Sequence, residues 1–405
     1  MSSRLPVIFI LMTVVIDAMG IGLIMPVMPN LLLEIRAGSL ANAALWGGGM
    51  SAAFAVMQFL FSPIIGNLSD RFGRRPVLLM SLAVMTVDYL VMAVAGSIWV
   101  LLAGRIIGGI TAATQSTAAA YMADISPPEK RGAGFGMVSA AFGLGFVLGP
   151  LIGGLLGDLG TRAPFYAAAM LAFSNLIFGW FILPETVTDA IRRPFNWRRA
   201  NPLGVFRSFA ALPGQGRLLM VLFLYHLAFN AYPAIWSYFT KARFGWDPRM
   251  IGVSLAVFGI SMALVQGGLI RVALARWGEV RTIVAGFGFA LISFLVLAFL
   301  TNGMVALALT PVSALAAMAI PALQSLMSRQ TPDDAQGELQ GIFTSVGALS
   351  LVLSPLLMTN VFATFTAPDA VVFLPGAPFL ASALLAVAGL VLFLSRKTGV
   401  ASIQP

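Results

Sequence analysis

Gly66-Asn67-Leu68-Ser69-Asp70-Arg71-Phe72-Gly73-Arg74-Arg75-Pro76 is a short charged turn set between two long apolar segments. Asp70 ends one segment, and Arg71, Arg74 and Arg75 crowd the start of the next. In a water-soluble chain this would be a solvated loop. Between segments long enough to cross a bilayer, it marks one membrane face and ties two helices together there.

Composition makes the bilayer the expected solvent. Of 405 residues, 59% are hydrophobic and 10% charged, and the mean hydropathy is +0.93. A soluble domain carries about 25% charged residues, so this chain cannot cover a soluble surface. Its 41 Gly and 23 Pro fit the same reading, since both are commoner in membrane helices than in soluble ones. Cys is absent, which excludes disulfides and thiolate chemistry. The net charge of +9 could suggest a nucleic-acid partner, but the basic residues sit in short loops between apolar runs, as retention on one membrane side requires. The first apolar run, 5–33, is too long for the apolar part of a signal peptide and reads as a first span.

Twelve apolar runs of about 20 residues follow one another, each enough for a ~30 Å core. The expected spans are 5–33, 43–68, 76–95, 98–122, 133–157, 163–183, 216–240, 250–275, 281–300, 303–327, 337–363 and 374–395. The fold class is therefore an all-α integral membrane protein: barrel strands would be about ten residues with alternating polarity. The long connection 184–215 divides the chain into a first six-helix half, 1–183, and a second, 216–405. Its Phe195, Trp197, Phe206 and Phe209 suit either an interfacial amphipathic segment or a plain linker. With the N-terminus inside, 17 Lys and Arg fall on the inner side and 5 on the outer, so both termini are expected in the cytoplasm. A weaker echo of the opening turn, Ala275-Arg276-Trp277-Gly278-Glu279-Val280-Arg281, follows the eighth span. Two related halves of six helices are a transporter architecture.

Few ionisable residues lie inside the spans. Asp17 and Asp88 must face a cavity or a partner. A low-dielectric setting favours the neutral form of a carboxyl group, which suits proton coupling. The other reading is structural: capping a broken helix, or pairing with Arg105. Gln58, Gln115, Gln266 and Gln324 are mid-span amides that need partners, either a substrate or another helix. His226 and Asn230 share a helix face at i,i+4, and a lone His is not a metal site. The run Gly143 to Gly154 includes Gly145, Gly149, Pro150 and Gly153. It fits either a hinge or a tight interhelical seam. It is not a phosphate loop, because no Lys-Ser/Thr follows. No nucleophile–base pair or metal cluster points to an enzyme.

These motifs resemble the major facilitator superfamily and, within it, the drug/proton antiporters, most of all the tetracycline/proton antiporters. Asp17-Ala18-Met19-Gly20-Ile21-Gly22-Leu23-Ile24-Met25-Pro26 is similar to that group's first helix, and Gly66 to Arg75 to the superfamily's signature loop. Arg105-Ile106-Ile107-Gly108-Gly109 resembles the fourth-helix motif, Gly143 to Gly154 the antiporter motif of the fifth, and Pro321 to Gln330 the end of the tenth. The resemblance implies a bacterial inner-membrane, multi-pass carrier that works as a monomer without a cofactor. It would export an amphipathic, tetracycline-like drug, free or Mg-chelated, in exchange for protons. Asp70, with Arg71, Arg74 and Arg75, would act as a conformational lock. Relatives carry a histidine in helix eight and an aspartate in helix nine where this chain has Met262 and Ala290, and Arg271 adds a charge. The proton would then ride on Asp17, Asp88 or Asp124, tuned by Arg105. Alternatives are an exporter or facilitator of another metabolite and, in a different class, a membrane sensor that transports nothing.

Overall fold

The computed structural model describes residues 5–35, 38–112, 114–189, 192–195 and 214–395, without the side chains of Gln115, Pro128 and Asp333. Trp197, Phe206 and Phe209 of the connection, and the side chain of Gln115, therefore lie outside the described residues.

Among the described residues every regular element is helical. The first span is Leu5–Ile24, and a separate short helix, Met28–Glu34, follows it. The expected run 5–33 thus breaks near Pro26. Proline has no N–H to give and disfavours helix at the residue before it. The second span, Leu40–Phe72, starts at Ser39, whose Oγ accepts the Asn42 N–H at 3.2 Å. It stops at Gly73, whose φ of 111° only glycine adopts easily. The third span, Arg74–Val94, begins directly after that glycine. The fourth is built from Ile98–Thr111 and Thr114–Ile125, the fifth is Arg131–Gly157, and the sixth is Ala163–Ile182.

The seventh span joins Gly216–Phe229 to Ala231–Phe244 and breaks at Asn230, near Pro233. Pro248–Phe299 is one apolar helical run of 52 residues. Its backbone turns at Gly278 (φ 70°, ψ 176°), so it makes the eighth and ninth spans. A π-helical turn, Val265–Leu269, interrupts the eighth. Gly303–Ser328, Gln336–Thr364 and Ala377–Leu394 complete twelve crossings. Large apolar side chains such as Met80, Val94, Met170, Phe181 and Leu384 are more than 60% exposed. In water that surface would be an aggregation liability; in a bilayer it is the lipid face.

Glycine governs how the two six-helix halves meet. Across the halves, the second span packs on the eleventh and the fifth on the eighth. A Cβ on Gly48 would lie 2.8 Å from Thr359 Cγ2, and one on Gly154 would lie 3.0 Å from the Gly252 Cα. Both contacts are at the end away from the Asp70 loop. Toward the loop end of the same helices, a Cβ on Gly66, Gly136, Gly268 or Gly341 would meet nothing within 4 Å. The halves touch through glycine at one end, and the glycines toward the other end face open space.

Replacing Gly252 with Val should force the fifth and eighth spans apart where Gly252 meets Gly154. With no native Cys to add background, a single Thr359→Cys reporter should then react several-fold faster with a membrane-impermeant maleimide. An unchanged rate would show that this end is not held shut by that contact.

Candidate functional site

The first half contains a small cavity of ≈ 30 Å³ among its first four spans. Asp17 and Ile21 reach it from the first span, Phe54 from the second, Asp88 and Tyr89 from the third, and Arg105 and Thr111 from the fourth. This space holds one or two waters and is too small for a drug. Asp88 is nearly buried, its side chain 3% exposed. Arg105 Nη2 donates to Asp88 Oδ2 at 2.5 Å, and the guanidinium lies 5.2 Å from the centre of the Phe54 ring.

Sequence explains how an arginine and an aspartate come so close. Gly104 and Gly108 lie one helical turn apart and flank Arg105. A methyl at either position would sit 2.7 Å from an Asp88 carboxylate oxygen. Only glycine lets the third span lay its carboxylate on the fourth. The pair is not saturated. Asp88 Oδ1 and Arg105 Nε are buried and reach no hydrogen-bond partner. Asp17 lines the same space, so a second carboxylate faces the cavity that the Asp88–Arg105 pair occupies.

Gln58 belongs beside this cavity: its amide donates to the Ala112 carbonyl at 3.3 Å, where the first helix of the fourth span ends. Asp124 does not. It accepts from Arg74 Nε at 3.2 Å and from Thr186 Oγ1 at 3.1 Å, in the loop cluster. His226 is half-buried on the seventh span, and Asn230 sits at that span's break. Gln266 is exposed in the π-helical turn, and Gln324 is half-buried on the tenth span. None of these four lines the cavity around Asp88. Met262 packs against the apolar core, and Ala290 is fully buried in it.

The loop cluster is tighter than its sequence suggested. Arg74 bridges Asp70 (2.5 Å) and Asp124 and also donates to Ser69 Oγ at 2.6 Å. Arg75 turns away, donating to the Trp180 carbonyl at 2.8 Å. Arg71 is exposed, with its guanidinium 5.0 Å from the Phe72 ring. Glu185, just past the sixth span, was not among the candidate residues. Its carboxylate accepts the Arg74 and Arg75 backbone N–H groups at 2.9 and 3.1 Å. It thereby caps the third span, whose free N-terminal donors favour an anion. The available signal was an acid in Pro184-Glu185-Thr186 directly after a span.

The glycine run forms a seam in this structure. The fifth span continues through Pro150. Gly145, Gly149 and Gly153 face the backbone of the first span at Val15, Met19 and Leu23.

Comparison with known proteins follows this geometry. Residues 10–355 and 218–402 match the Major Facilitator Superfamily profile. The chain is 44% identical over 364 residues to the class C tetracycline resistance protein of Escherichia coli, covering 90% of this chain and 91% of that protein. It is 39% identical over 361 residues to the class E tetracycline resistance protein of Escherichia coli, covering 88% and 87%. The crystal structure of the human organic anion transporter MFSD10 superposes with a TM-score of 0.69 at 28% identity, covering 97% of this chain and 99% of that one.

Removing the cap tests the loop cluster. Glu185→Ala should cost about 1 kcal/mol, as losses of helix N-caps do, and lower the thermal midpoint of the purified protein. Arg71→Ala, at an exposed position, should leave the midpoint unchanged. Equal midpoints for the two variants would remove the capping role.

Proposed function

The chain belongs to the Major Facilitator Superfamily, and from that premise we propose that it exports an amphipathic, tetracycline-like drug, free or Mg-chelated, in exchange for protons. Its relatives are transporters, and it is a multi-pass membrane transporter and not an enzyme. Two curated relatives named for tetracycline resistance, matched over most of their length, support drug export. The proposed location is a bacterial inner membrane, with both termini in the cytoplasm and the carrier working as a monomer. On that orientation the glycine contacts between the halves lie at the outer end.

The observation that carries proton exchange is the charge balance around Asp88. Two carboxylates and one guanidinium line one small cavity. With all three ionised the cavity holds one net negative charge in surroundings of low dielectric, and one proton restores neutrality. When Asp88 takes that proton it loses its attraction for Arg105, whose guanidinium can then turn to Asp17. Rearranging one ion pair biases the relative populations of the two carrier states. The loop cluster supplies the latch. Asp70, Arg74 and Asp124 hold the ends of the second, third and fourth spans together, so those helices move as one body when the halves rock.

A specific observation favours a second reading, transport of an organic anion. Arg271 is exposed beside the π-helical turn of the eighth span and forms no ion pair among the described residues. The human relative of solved structure is named an organic anion transporter.

In proteoliposomes with an imposed pH gradient, adding the drug should drive proton movement in the opposite direction. Asp88→Asn should abolish gradient-driven transport while counterflow persists; full gradient-driven activity would sink the assigned role. Asp70→Asn should slow turnover with drug affinity nearly intact. Uptake of an organic anion that ignores the pH gradient would favour the second reading.

A further inference from the structure

The two halves repeat at a constant displacement in the chain. Gly73 and Gly278 both carry a positive φ, of 111° and 70°, and both separate two spans. They differ by 205 in residue number. The same displacement carries Arg74 to Glu279 and Asp124 to Arg329. Both pairs are ion pairs, Arg74–Asp124 at 3.2 Å and Arg329–Glu279 at 2.9 Å, with the signs reversed. The correspondence is thus one of structure as well as number.

Carried to the centre of the spans, the displacement takes Asp88 to Ser293, Arg105 to Thr310 and Gly108 to Ser313. Ser313 and Thr310 line a small cavity of the second half, with Tyr232, Trp236, Leu255 and Phe258. Tyr232 comes from the seventh span, as Asp17 comes from the first. Its hydroxyl faces Ser293 and Ser313. These groups are buried: Tyr232 is 4% exposed, Ser293 0%, Thr310 3% and Ser313 2%.

Their hydrogen bonding is incomplete in a particular way. Thr310 Oγ1 donates to the Ala306 carbonyl at 3.0 Å, and Ser313 Oγ to the Leu309 carbonyl at 3.2 Å. Their protons are spent, and their oxygens remain acceptors. The Tyr232 and Ser293 hydroxyls reach no hydrogen-bond partner, so each has a proton to give. One donor, Tyr232, and two acceptors, Thr310 and Ser313, line a space of ≈ 10 Å³, which is at the lower bound for one water; Ser293 faces the Tyr232 hydroxyl beside it.

We propose that the second half retains the central site of the first in neutral form, as a hydroxyl site of Tyr232, Ser293, Thr310 and Ser313 that binds one water where the first half has the Asp88–Arg105 pair. The water accepts from Tyr232 and donates to Ser313 and Thr310, and Ser293 backs the Tyr232 hydroxyl. It links the segment after the Asn230 break to the tenth span. The site carries no charge and no group that titrates near neutral pH, so it takes no part in proton exchange.

A wet site and a dry one respond to the same substitution with opposite sign. If water is bound, Tyr232→Phe removes one of its partners and lowers the thermal midpoint of the purified protein by about 2 °C. Thr310→Val, which puts a methyl where the acceptor was, does likewise. If the space is dry, the Tyr232 hydroxyl is an unmet buried donor, and Tyr232→Phe raises the midpoint. A raised or unchanged midpoint in both variants overturns the proposal. The oxygen could instead belong to the transported drug. In that case Tyr232→Phe raises the KM for tetracycline at least tenfold with no shift in the midpoint of the drug-free protein, which also overturns the resident water. Asp88→Asn in the same assay leaves this readout separate, because failure of proton exchange there does not move the Tyr232→Phe midpoint.

Discussion

An ionised carboxylate inside a bilayer needs a partner at contact distance, because no bulk water is present to replace one. Asp88 meets that constraint, and much of the first half is arranged around it. The third span can present the carboxylate only if the fourth offers a surface without side chains, which Gly104 and Gly108 provide. Arg105 stands between those glycines, so one helical turn supplies both the space and the counter-charge. Phe54 covers the guanidinium from the second span. The pair is held by one short bond, with an oxygen and a nitrogen left unmatched. A fully bidentate pair would be harder to undo. The proposed proton exchange, which breaks and remakes this contact each cycle, is served by an incomplete pair.

Reversal of sign at the loop ends shows which features of a repeat are constrained. An ion pair that ties a loop to a helix end is indifferent to which side carries the acid. Arg74–Asp124 and Glu279–Arg329 therefore hold equivalent positions with opposite polarity. The central site is not indifferent. Replacing a carboxylate and a guanidinium with Ser293 and Thr310 removes both charges together, and removing only one would have left the other buried and unpaired. Met262 and Ala290 follow the same trend, both apolar and packed against the core of the second half. The halves share a scaffold and differ in chemistry.

Much of this was legible in the residues. Apolar length alone yields twelve spans, because lipid makes every exposed polar group costly. The pairing of Asp88 with Arg105 was visible as one of two readings. Nothing in spacing could choose between them, since the two residues lie on different helices. The place of Asp124 in the loop cluster was not legible, because a carboxylate at the end of a span reads alike whether it turns inward or toward a loop. Glu185 was missed because it falls in a connection, where an acid ordinarily means solvent. The run 5–33 was too long because hydropathy continues through Pro26 while the helix does not. The hydroxyls of Tyr232, Ser293, Thr310 and Ser313 were passed over because single hydroxyls in apolar runs are common and usually bond their own helix. Only the repeat and the fold bring these four together.

The glycine seams bear on why such a carrier can have two states. Where Gly48 meets Thr359 and Gly154 meets Gly252, backbone lies close to side chain or backbone with no interdigitated large groups. Such contacts fit closely but bury little apolar area per residue, so parting them costs less than parting a seam of interlocked Leu or Phe. Within each half the balance is opposite. Tyr225, Phe287, Phe294 and Phe379 of the second half are fully buried or nearly so; Tyr225 packs on Phe287, and Phe294 and Phe379 pack on each other and on Tyr232. Separating them would expose hundreds of Å² of aromatic surface. Motion is therefore directed to the boundary between the halves, where small residues keep the closed and open arrangements close in energy. In the proposed cycle the charged loop clusters keep the helices of each half together.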